Sequence, residues 1–372
     1  ITTGAPVAPS ATRDQSFKAL RKPPGVCLGD SVAQGTRSGV APAQDINGRF
    51  TVTLRPLDLL PRSGEGSGKT SKERSVRQRG LSVAERTRRR LIEPLRRRMI
   101  GPLMARLGYD LTPAVPEWAH HPLSKREVDR LVAGAAAQLA ADLAVAEVCA
   151  PADPEGLVRD FLGRIRSSPV RQKHGGNGFN GALQIYAIAR ALDPPVIVES
   201  GVFRGFTTWV LREACPEAKI YSFDPVLKHL RYRDPGTTYR SDDWSSFDFS
   251  GVDLSGALAL FDDHISQERR LGEAAACGVR HILFDDDAPA HAIHGQGGPA
   301  YPTISMILAE NRDGDCEPVR WVRNGREFVW RPDREGIRSA QERIAVAHRL
   351  DDMHRLTGYS PARLTYVRLK TP

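Results

Sequence analysis

The stretch that decides the fold is Val196-Ile-Val-Glu199-Ser-Gly201-Val-Phe-Arg-Gly205-Phe-Thr-Thr-Trp209, followed by Ile220-Tyr-Ser-Phe-Asp224-Pro225. Its first residues predict a buried strand that ends in a carboxylate, because a short apolar run precedes Glu199. The glycines predict a turn where a ligand can approach the backbone, before a helix whose amino terminus faces the crevice. A dinucleotide fingerprint would need glycines at positions 203 and 206. Both positions are Phe, so the loop favours another nucleotide cofactor over nicotinamide.

The pattern around this stretch predicts an α/β fold. From about Gly178 onward, helical patterns alternate with short apolar runs, as in a doubly wound, mostly parallel sheet with crossover helices. Near the C-terminus, the dipeptide Asn324-Gly325 predicts an antiparallel hairpin between residues 319–322 and 326–330. We expect a helix near Arg338–Leu350 and a last strand at Leu364–Leu369.

The chain divides into three predicted segments. Residues 1–80 are rich in Gly, Pro, Ser and Thr, which is typical of a disordered, low-complexity head. Residues 81–169 predict an N-terminal helical extension, with capping boxes at Ser82–Glu85 and Ser124–Glu127 that open helices reaching about Arg98 and Cys149. Residues 170–372 form the predicted α/β domain.

The spacing Glu-x-Gly-x-x-x-Gly, with an acid ending the next strand, resembles the first two motifs of class I S-adenosylmethionine-dependent methyltransferases. The resemblance covers roughly residues 170–370 and implies a Rossmann-like methyltransferase fold. It implies that Glu199, Gly201 and Gly205 form the loop around S-adenosylmethionine, that Asp224 binds the ribose hydroxyls, and that Asp242 joins this cofactor set. The chemistry agrees, since a carboxylate accepts two hydroxyl hydrogens and acids stabilise a nearby sulfonium.

Two acidic clusters follow later predicted strands, at the edge where open α/β sheets bind their ligands. They are Phe261-Asp262-Asp263-His264 and Phe284-Asp285-Asp286-Asp287. Like charges at one crevice repel each other unless a cation or protonation relieves them, and hard divalent cations take oxygen ligands. The clusters therefore predict a bound Mg²⁺.

The clusters resemble those of the metal-dependent O-methyltransferases that act on macrolide sugars and catechols. This resemblance implies Asp263, Asp286 and Asp287 as metal ligands, with Asp262 and Asp285 as alternatives. One cluster carries an extra Asp and His264 follows the other, so the sequence departs from both relatives. The implied reaction is Mg²⁺-assisted O-methylation of a hydroxylated small molecule or sugar, in a glycan or secondary-metabolite setting.

Such a reaction mainly requires that the protein hold the acceptor oxygen in line with the methyl carbon, because methyl transfer is an in-line displacement. A metal that binds vicinal oxygens would orient the acceptor and lower its pKa. His264 and His291 are the candidate bases, since imidazole titrates near neutral pH; a structural role would explain each of them as well. The glycine-rich segment 173–180 is either a lid over the crevice or a plain helix-entry loop.

Charge and cysteine content limit the other function classes. Residues 1–100 hold 20 Lys and Arg against 8 Asp and Glu, whereas the rest of the chain holds 33 against 36. The basic run from Lys69 to Arg98 could bind nucleic acid, anionic lipid or a glycan phosphate, but a solvated arm is the simpler interpretation and we expect no nucleic-acid partner.

Five cysteines without CxxC spacing, and no apolar run near ~20 residues, predict a cytoplasmic protein without a membrane span. Homo-oligomerisation stays open.

Three other interpretations of the sequence compete with an enzyme of this kind. A non-catalytic methyltransferase-fold scaffold, attached to RNA or an anionic surface by its basic head, is compatible with the fold. A serine esterase of the GDS type would use Ser31, in Leu28-Gly29-Asp30-Ser31, with His354 as base; its remaining blocks are not recognisable. The segment 63–70 lacks the first glycine of a phosphate loop, because position 63 is Ser.

Overall fold

The computed structural model describes residues 43–44, 50–51, 95–107, 109–110, 124–170, 176–295, 302–309, 318–323 and 326–371. All of them belong to one compact unit, Pro42–Pro372. The strands are β1 (Ala43–Gln44), β2 (Phe50–Thr51), β3 (Tyr109–Asp110), β4 (Val196–Ser200), β5 (Lys219–Phe223), β6 (Thr237–Arg240), β7 (Leu258–Phe261), β8 (His281–Phe284), β9 (Val319–Arg323), β10 (Arg326–Trp330), β11 (Ile344–Arg349) and β12 (Thr365–Leu369). The α-helices are α1 (Gly101–Arg106), α2 (Lys125–Val145), α3 (Pro154–Ile165), α4 (Phe179–Leu192), α5 (Phe206–Ala214), α6 (Gln267–Ala276), α7 (Ile304–Ala309), α8 (Arg334–Arg343) and α9 (His354–Thr357).

A seven-stranded sheet forms the centre of the fold, in the order β11-β12-β8-β7-β4-β5-β6. Strands β4 to β8 pair in parallel, and β12 runs antiparallel to both of its neighbours, β8 and β11. The chain leaves the central strand β4 toward β5 and β6, and then returns to build β7 and β8 on the other side. The prediction of a doubly wound, mostly parallel sheet is therefore confirmed.

Each face of this sheet packs against its own set of helices. Alternate residues of a strand point to opposite faces, so Ile197 joins the core that holds α2 to α5, whereas Val198 joins the core that holds α6 to α8. Both side chains are fully buried. The central strands β4, β7 and β8 are mostly apolar because they are covered on both sides.

The C-terminal region contains both a confirmed and a wrong prediction. The hairpin is confirmed, since β9 and β10 form an antiparallel pair. The predicted helix near Arg338–Leu350 is wrong in its second half, because α8 ends at Arg343 and residues 344–349 form the edge strand β11, paired with β12. Asp333 caps α8, where its side chain accepts hydrogen bonds from the backbone N–H groups of Glu335 and Gly336.

The N-terminal extension is helical where the structure describes it. Helix α2 begins with the predicted capping box, in which Ser124 and Glu127 exchange side-chain and backbone hydrogen bonds. The helix predicted from Ser82 lies outside the described residues up to Leu95, and a π-helical segment at Arg96–Ile100 continues into α1. In the head, β1 pairs antiparallel with β2, and β2 pairs in parallel with β3. Among the described residues, no helix combines the length and apolar character that crossing a membrane requires.

Candidate active site

The candidate site lies where β5, β4, β7 and β8 end side by side. The last residues of these strands are in register, since Ser200 pairs with both Phe223 and Phe261, and Phe261 pairs with Phe284. Parallel pairing therefore sets Gly201, Asp224, Asp262 and Asp285 in one row along the same edge. The strand order reverses between β4 and β7, and such a switch point is where open α/β sheets bind their ligands.

The carboxylate of Asp224 contacts the backbone of the glycine loop directly. Its Oδ2 accepts hydrogen bonds from the backbone N–H groups of Val202 (3.0 Å) and Phe203 (2.7 Å). Its Oδ1 accepts another from the N–H of Val226 at 2.7 Å. The N–H of Gly201 in turn donates to the carbonyl of Phe223 at 2.9 Å. The structure thus brings the loop and the strand-end acid together, as the motif order predicts.

Positions 201 and 205 require glycine because neighbouring backbone atoms leave no room for a side chain. A Cβ on Gly201 would lie 2.2 Å from the carbonyl oxygen of Asp262, and one on Gly205 would lie 2.3 Å from that of Tyr232. Both glycines also have positive φ, +97° and +81°, a region that strains other residues. We expected these glycines to let a ligand approach the backbone. In the structure, other backbone atoms of the protein occupy the space where a Cβ would lie at both positions.

Glu199 is a fully buried carboxylate at the end of β4. Its Oε2 accepts hydrogen bonds from the hydroxyls of Thr208 and Ser222, both at 2.6 Å. Among the described residues, its Oε1 is buried and has no hydrogen-bond partner. Burial raises the pKa of Glu199 to about 7, against the two hydroxyl hydrogen bonds that lower it. A cation or a donor beside Oε1 would satisfy this oxygen.

Asp242, the other predicted cofactor residue, lies at the surface after β6. It forms an ion pair with Arg240 at 2.9 Å, and its side chain is 38% exposed. This pairing holds the pKa of Asp242 below its ordinary value, mainly through the hydrogen bond from Arg240. Its cofactor role stays a prediction.

Three side chains at the ends of β7 and β8 could hold a metal ion. Asp262, His264 and Asp286 each offer one ligand atom, and these atoms all lie within 4.8 Å of one another. The His264 Nε2 is 3.1 Å from the Asp286 Oδ2. The pKa of Asp262 is raised well above its ordinary value, first by loss of solvent and then by the charges of Asp285 and Asp286. A divalent cation would relieve this crowding of charge.

Two of the three predicted metal ligands have other partners. Asp263 Oδ2 accepts hydrogen bonds from the Ser200 hydroxyl (2.6 Å) and from the Arg270 Nε (2.8 Å). Asp287 is fully buried and accepts hydrogen bonds from the hydroxyls of Ser305 and Thr365. The geometry thus favours Asp262 and His264 as companions of Asp286. The ligand set stays a prediction.

Arg270 is a residue that sequence analysis did not single out. It lies on α6 with a side chain only 2% exposed, and it forms ion pairs with Asp243, Asp263 and Glu273. It neutralises one side of the acidic cluster from within the protein. The only signal was its place in the first turn of α6, six residues after the first cluster, which gives no indication of burial.

Asn177 links the glycine-rich segment to the second cluster. Its Nδ2 donates to the Asp285 Oδ2 at 2.8 Å. Burial and the neighbouring Asp286 raise the pKa of Asp285 to about 7. Asn180 is structural, because it donates to the carbonyls of Tyr359 and Ser360. Residues 171–175 lie outside the described residues, so the lid stays a prediction.

The other predicted site residues are not members of the group formed by Asp262, His264 and Asp286 among the described residues. His291 is exposed in a short 3₁₀-helix, Ala290–Gly295, and the loop residues 296–301 that follow lie outside the described chain. Ser31 of the esterase hypothesis and the segment 63–70 also lie outside it. His354 places its Nδ1 2.6 Å from the carbonyl of Tyr359.

No family model and no curated protein matches the chain, but solved structures resemble part of it. The O-methyltransferase TomG from Streptomyces achromogenes, involved in tomaymycin synthesis and in complex with SAM, is 12% identical with a TM-score of 0.32, over 62% of this chain and 96% of that one. The N-terminal domain of EvdMO1, in the presence of SAH and D-fucose, is 18% identical with a TM-score of 0.33, over 54% and 87%. An O-methyltransferase from Bacillus cereus in complex with SAH is 14% identical with a TM-score of 0.29, over 63% and 99%.

These similarities concern the fold. The order and directions of the strands in the main sheet establish that fold independently. The chain has the Rossmann-like fold that the resemblance of its glycine loop to class I methyltransferases implies.

Proposed function

We propose that this protein is an S-adenosylmethionine-dependent methyltransferase. The observation that carries the proposal is the contact between the Asp224 carboxylate and the backbone of the loop that follows Gly201, at the switch point of the sheet. The buried Oε1 of Glu199, which has no hydrogen-bond partner within the described part of the chain, supports it, because a cationic ligand beside this oxygen would stabilise the charged carboxylate. When bound, S-adenosylmethionine supplies a methyl group activated by a sulfonium.

The residues of the loop would bind and orient this donor. A carboxylate offers about four lone-pair sites, and Asp224 uses three of them on backbone N–H groups. The remaining site can accept a ribose hydroxyl, so that Asp224 would bind the cofactor and hold the loop in shape at the same time. Glu199 would provide the negative charge beneath the loop.

The acidic cluster supports an oxygen nucleophile as the acceptor. In this proposal Asp262, His264 and Asp286 would hold a divalent cation, and such a cation would supply Lewis-acid chemistry toward the oxygens of a hydroxylated small molecule or sugar. The two carboxylates suit Mg²⁺, whereas the imidazole nitrogen favours a transition-metal ion. Without a metal, His264 would instead act as the base that takes the hydroxyl proton, with Asp286 orienting its ring at 3.1 Å.

Calorimetric titration with S-adenosylmethionine tests the proposal. We expect the wild-type protein to bind the cofactor, and the Asp224→Asn variant to bind it about 10–100 times more weakly, because an amide cannot accept all of these N–H donors and charge-assisted bonds contribute ~1.5–3 kcal/mol. Asp248→Asn is the matched control, since Asp248 is also an aspartate that accepts a backbone N–H, from Ser250, in an exposed turn. If the wild-type protein does not bind, a non-catalytic scaffold becomes the better interpretation.

A further inference from the structure

An exposed apolar stripe runs along the helical segment Leu95–Leu107, which we call the Arg-rich helix. Its members are Leu95, Met99, Leu103 and Leu107, with exposed fractions of 46%, 66%, 59% and 62%. They are spaced four residues apart, which is close to one turn in the π-helical part as well as in α1. Large apolar side chains with this spacing and exposure form one continuous face.

The same segment is strongly basic. It contains Arg96, Arg97, Arg98 and Arg106 and no acidic residue. Of these, Arg98 and Arg106 are exposed. Directly upstream, residues 69–94 add nine Lys and Arg against three Glu. The helix therefore combines an apolar face with a positive charge that no acidic residue in the segment offsets.

We propose that the Arg-rich helix binds an anionic membrane surface, lying in its plane with the stripe inserted among the lipids. This combination of an apolar face, basic flanks and no acids is what interfacial helices use. Positive charge complements the anionic headgroups, and the exposed Leu and Met side chains leave water on insertion. The inference does not depend on the proposed methyltransferase activity.

Charge and chemistry disfavour the other occupants of this face. Nucleic acid would use the arginines, but phosphate contacts give no role to four large apolar side chains. A second copy of the chain would bring two segments of four arginines together without an acid in either, and like charges repel. An anionic bilayer uses both features at once.

Vesicle flotation with the full chain tests this inference. We expect the protein to float with vesicles that contain one-third phosphatidylglycerol in phosphatidylcholine, and to stay behind with pure phosphatidylcholine. The double variant Met99→Ser/Leu103→Ser should bind the anionic vesicles at least about tenfold more weakly. Leu308→Ser is the matched control, because Leu308 is also large, apolar and exposed, at 45%, and this variant should float like the wild type.

A second pair of measurements separates lipid from the other partners. Arg98→Gln/Arg106→Gln should weaken the preference for anionic vesicles, since each basic side chain near such a surface adds to the attraction. The inference is overturned by equal flotation with both vesicle types, or by the double serine variant floating like Leu308→Ser. It is also overturned if polyuridylate removes the protein from vesicles equally well in the serine variant and the wild type, or if Met99→Ser/Leu103→Ser converts a dimer into a monomer in light scattering.

Discussion

At the scale of single residues, the buried Glu199 links the stability of the protein to pH. Its folded-state pKa is about 7, raised by burial from an ordinary value of 4.5. Below the lower value the side chain is neutral in both the folded and unfolded states. As the pH rises through about 7, ionisation favours the unfolded chain, and the stability that protonation confers is lost.

The Glu199→Gln variant should be free of this loss. A carboxyl pKa raised from 4.5 to about 7 corresponds to about 3 kcal/mol, so the variant should gain up to that much relative to the wild type between about pH 4.5 and pH 8. Urea unfolding of both proteins at several pH values measures this difference. Asp285 also has a raised pKa, but it is present in both proteins and cancels. A difference in unfolding free energy that does not change with pH would contradict the assignment.

At this scale, sequence predicts which strand ends meet but not which way each side chain turns. The order of the motifs was enough to bring Gly201 and Asp224 together, since parallel strands end at one edge of the sheet. The choice between the adjacent Asp262 and Asp263 was not predictable. It depends on the buried Arg270, which binds Asp263, and on the positive φ of His264, +59°, just after the pair.

At the scale of elements, Asp286 and Asp287 have different tasks although they are neighbours. Asp287 ties the first turn of α7 to β12, because it accepts hydrogen bonds from the N–H and hydroxyl of Ser305 and from the hydroxyl of Thr365. Asp286 lies in the cluster with Asp262 and His264. One acid thus joins two elements, whereas the other faces the candidate site.

The pair Asp286→Asn and Asp287→Asn should separate these tasks. We expect Asp287→Asn to lower the free energy of unfolding by about 2–4 kcal/mol, because a buried charged acceptor is lost. Asp286→Asn should retain stability and S-adenosylmethionine affinity, and should lose the turnover that added Mg²⁺, Mn²⁺ or Zn²⁺ restores after chelation. Denaturant unfolding, calorimetry and methyl transfer to a catechol or sugar acceptor give the three readouts. Loss of the metal response in both variants, with Asp287→Asn as stable as the wild type, would favour the ligand set that the sequence resemblance implies.

Strand β11 shows why element type was harder to predict near the C-terminus. The segment Ile344-Ala-Val-Ala-His348-Arg contains good helix formers as well as β-branched residues, and it follows a capped helix without an intervening Gly or Pro. The neighbouring strand β12 determines that this segment forms a strand. Residues 344 and 346–349 pair with β12, and this tertiary pairing overrides the local helical preference.

At the scale of the whole molecule, the N-terminal helices and the sheet share one core. Leu139 and Leu143 of α2 belong to the same buried cluster as Leu364 and Tyr366 at β12. Polar contacts support this packing, since His348 of β11 places its Nε2 2.8 Å from the buried Asp142 of α2. The change in pattern near residue 170 marks where strands begin to alternate with helices. It gives no information about which helices cover the sheet.

A chain that begins at residue 170 should therefore fail to fold. It would lose seven large side chains of the shared core that are each at most 3% exposed: Leu131, Val132, Leu139, Leu143, Val158, Phe161 and Ile165. At ~1.5–3 kcal/mol for each buried side chain, the loss is about 10 kcal/mol or more, which is comparable to the whole stability of a domain, about 5–15 kcal/mol. A chain that begins at Ser124 is the control, because it keeps the cap of α2 and this core. Circular dichroism during thermal unfolding should show a cooperative transition for the control alone. A cooperative transition in the shorter chain would mean that the sheet does not depend on α2 and α3, and that the α/β domain begins where the sequence pattern changes.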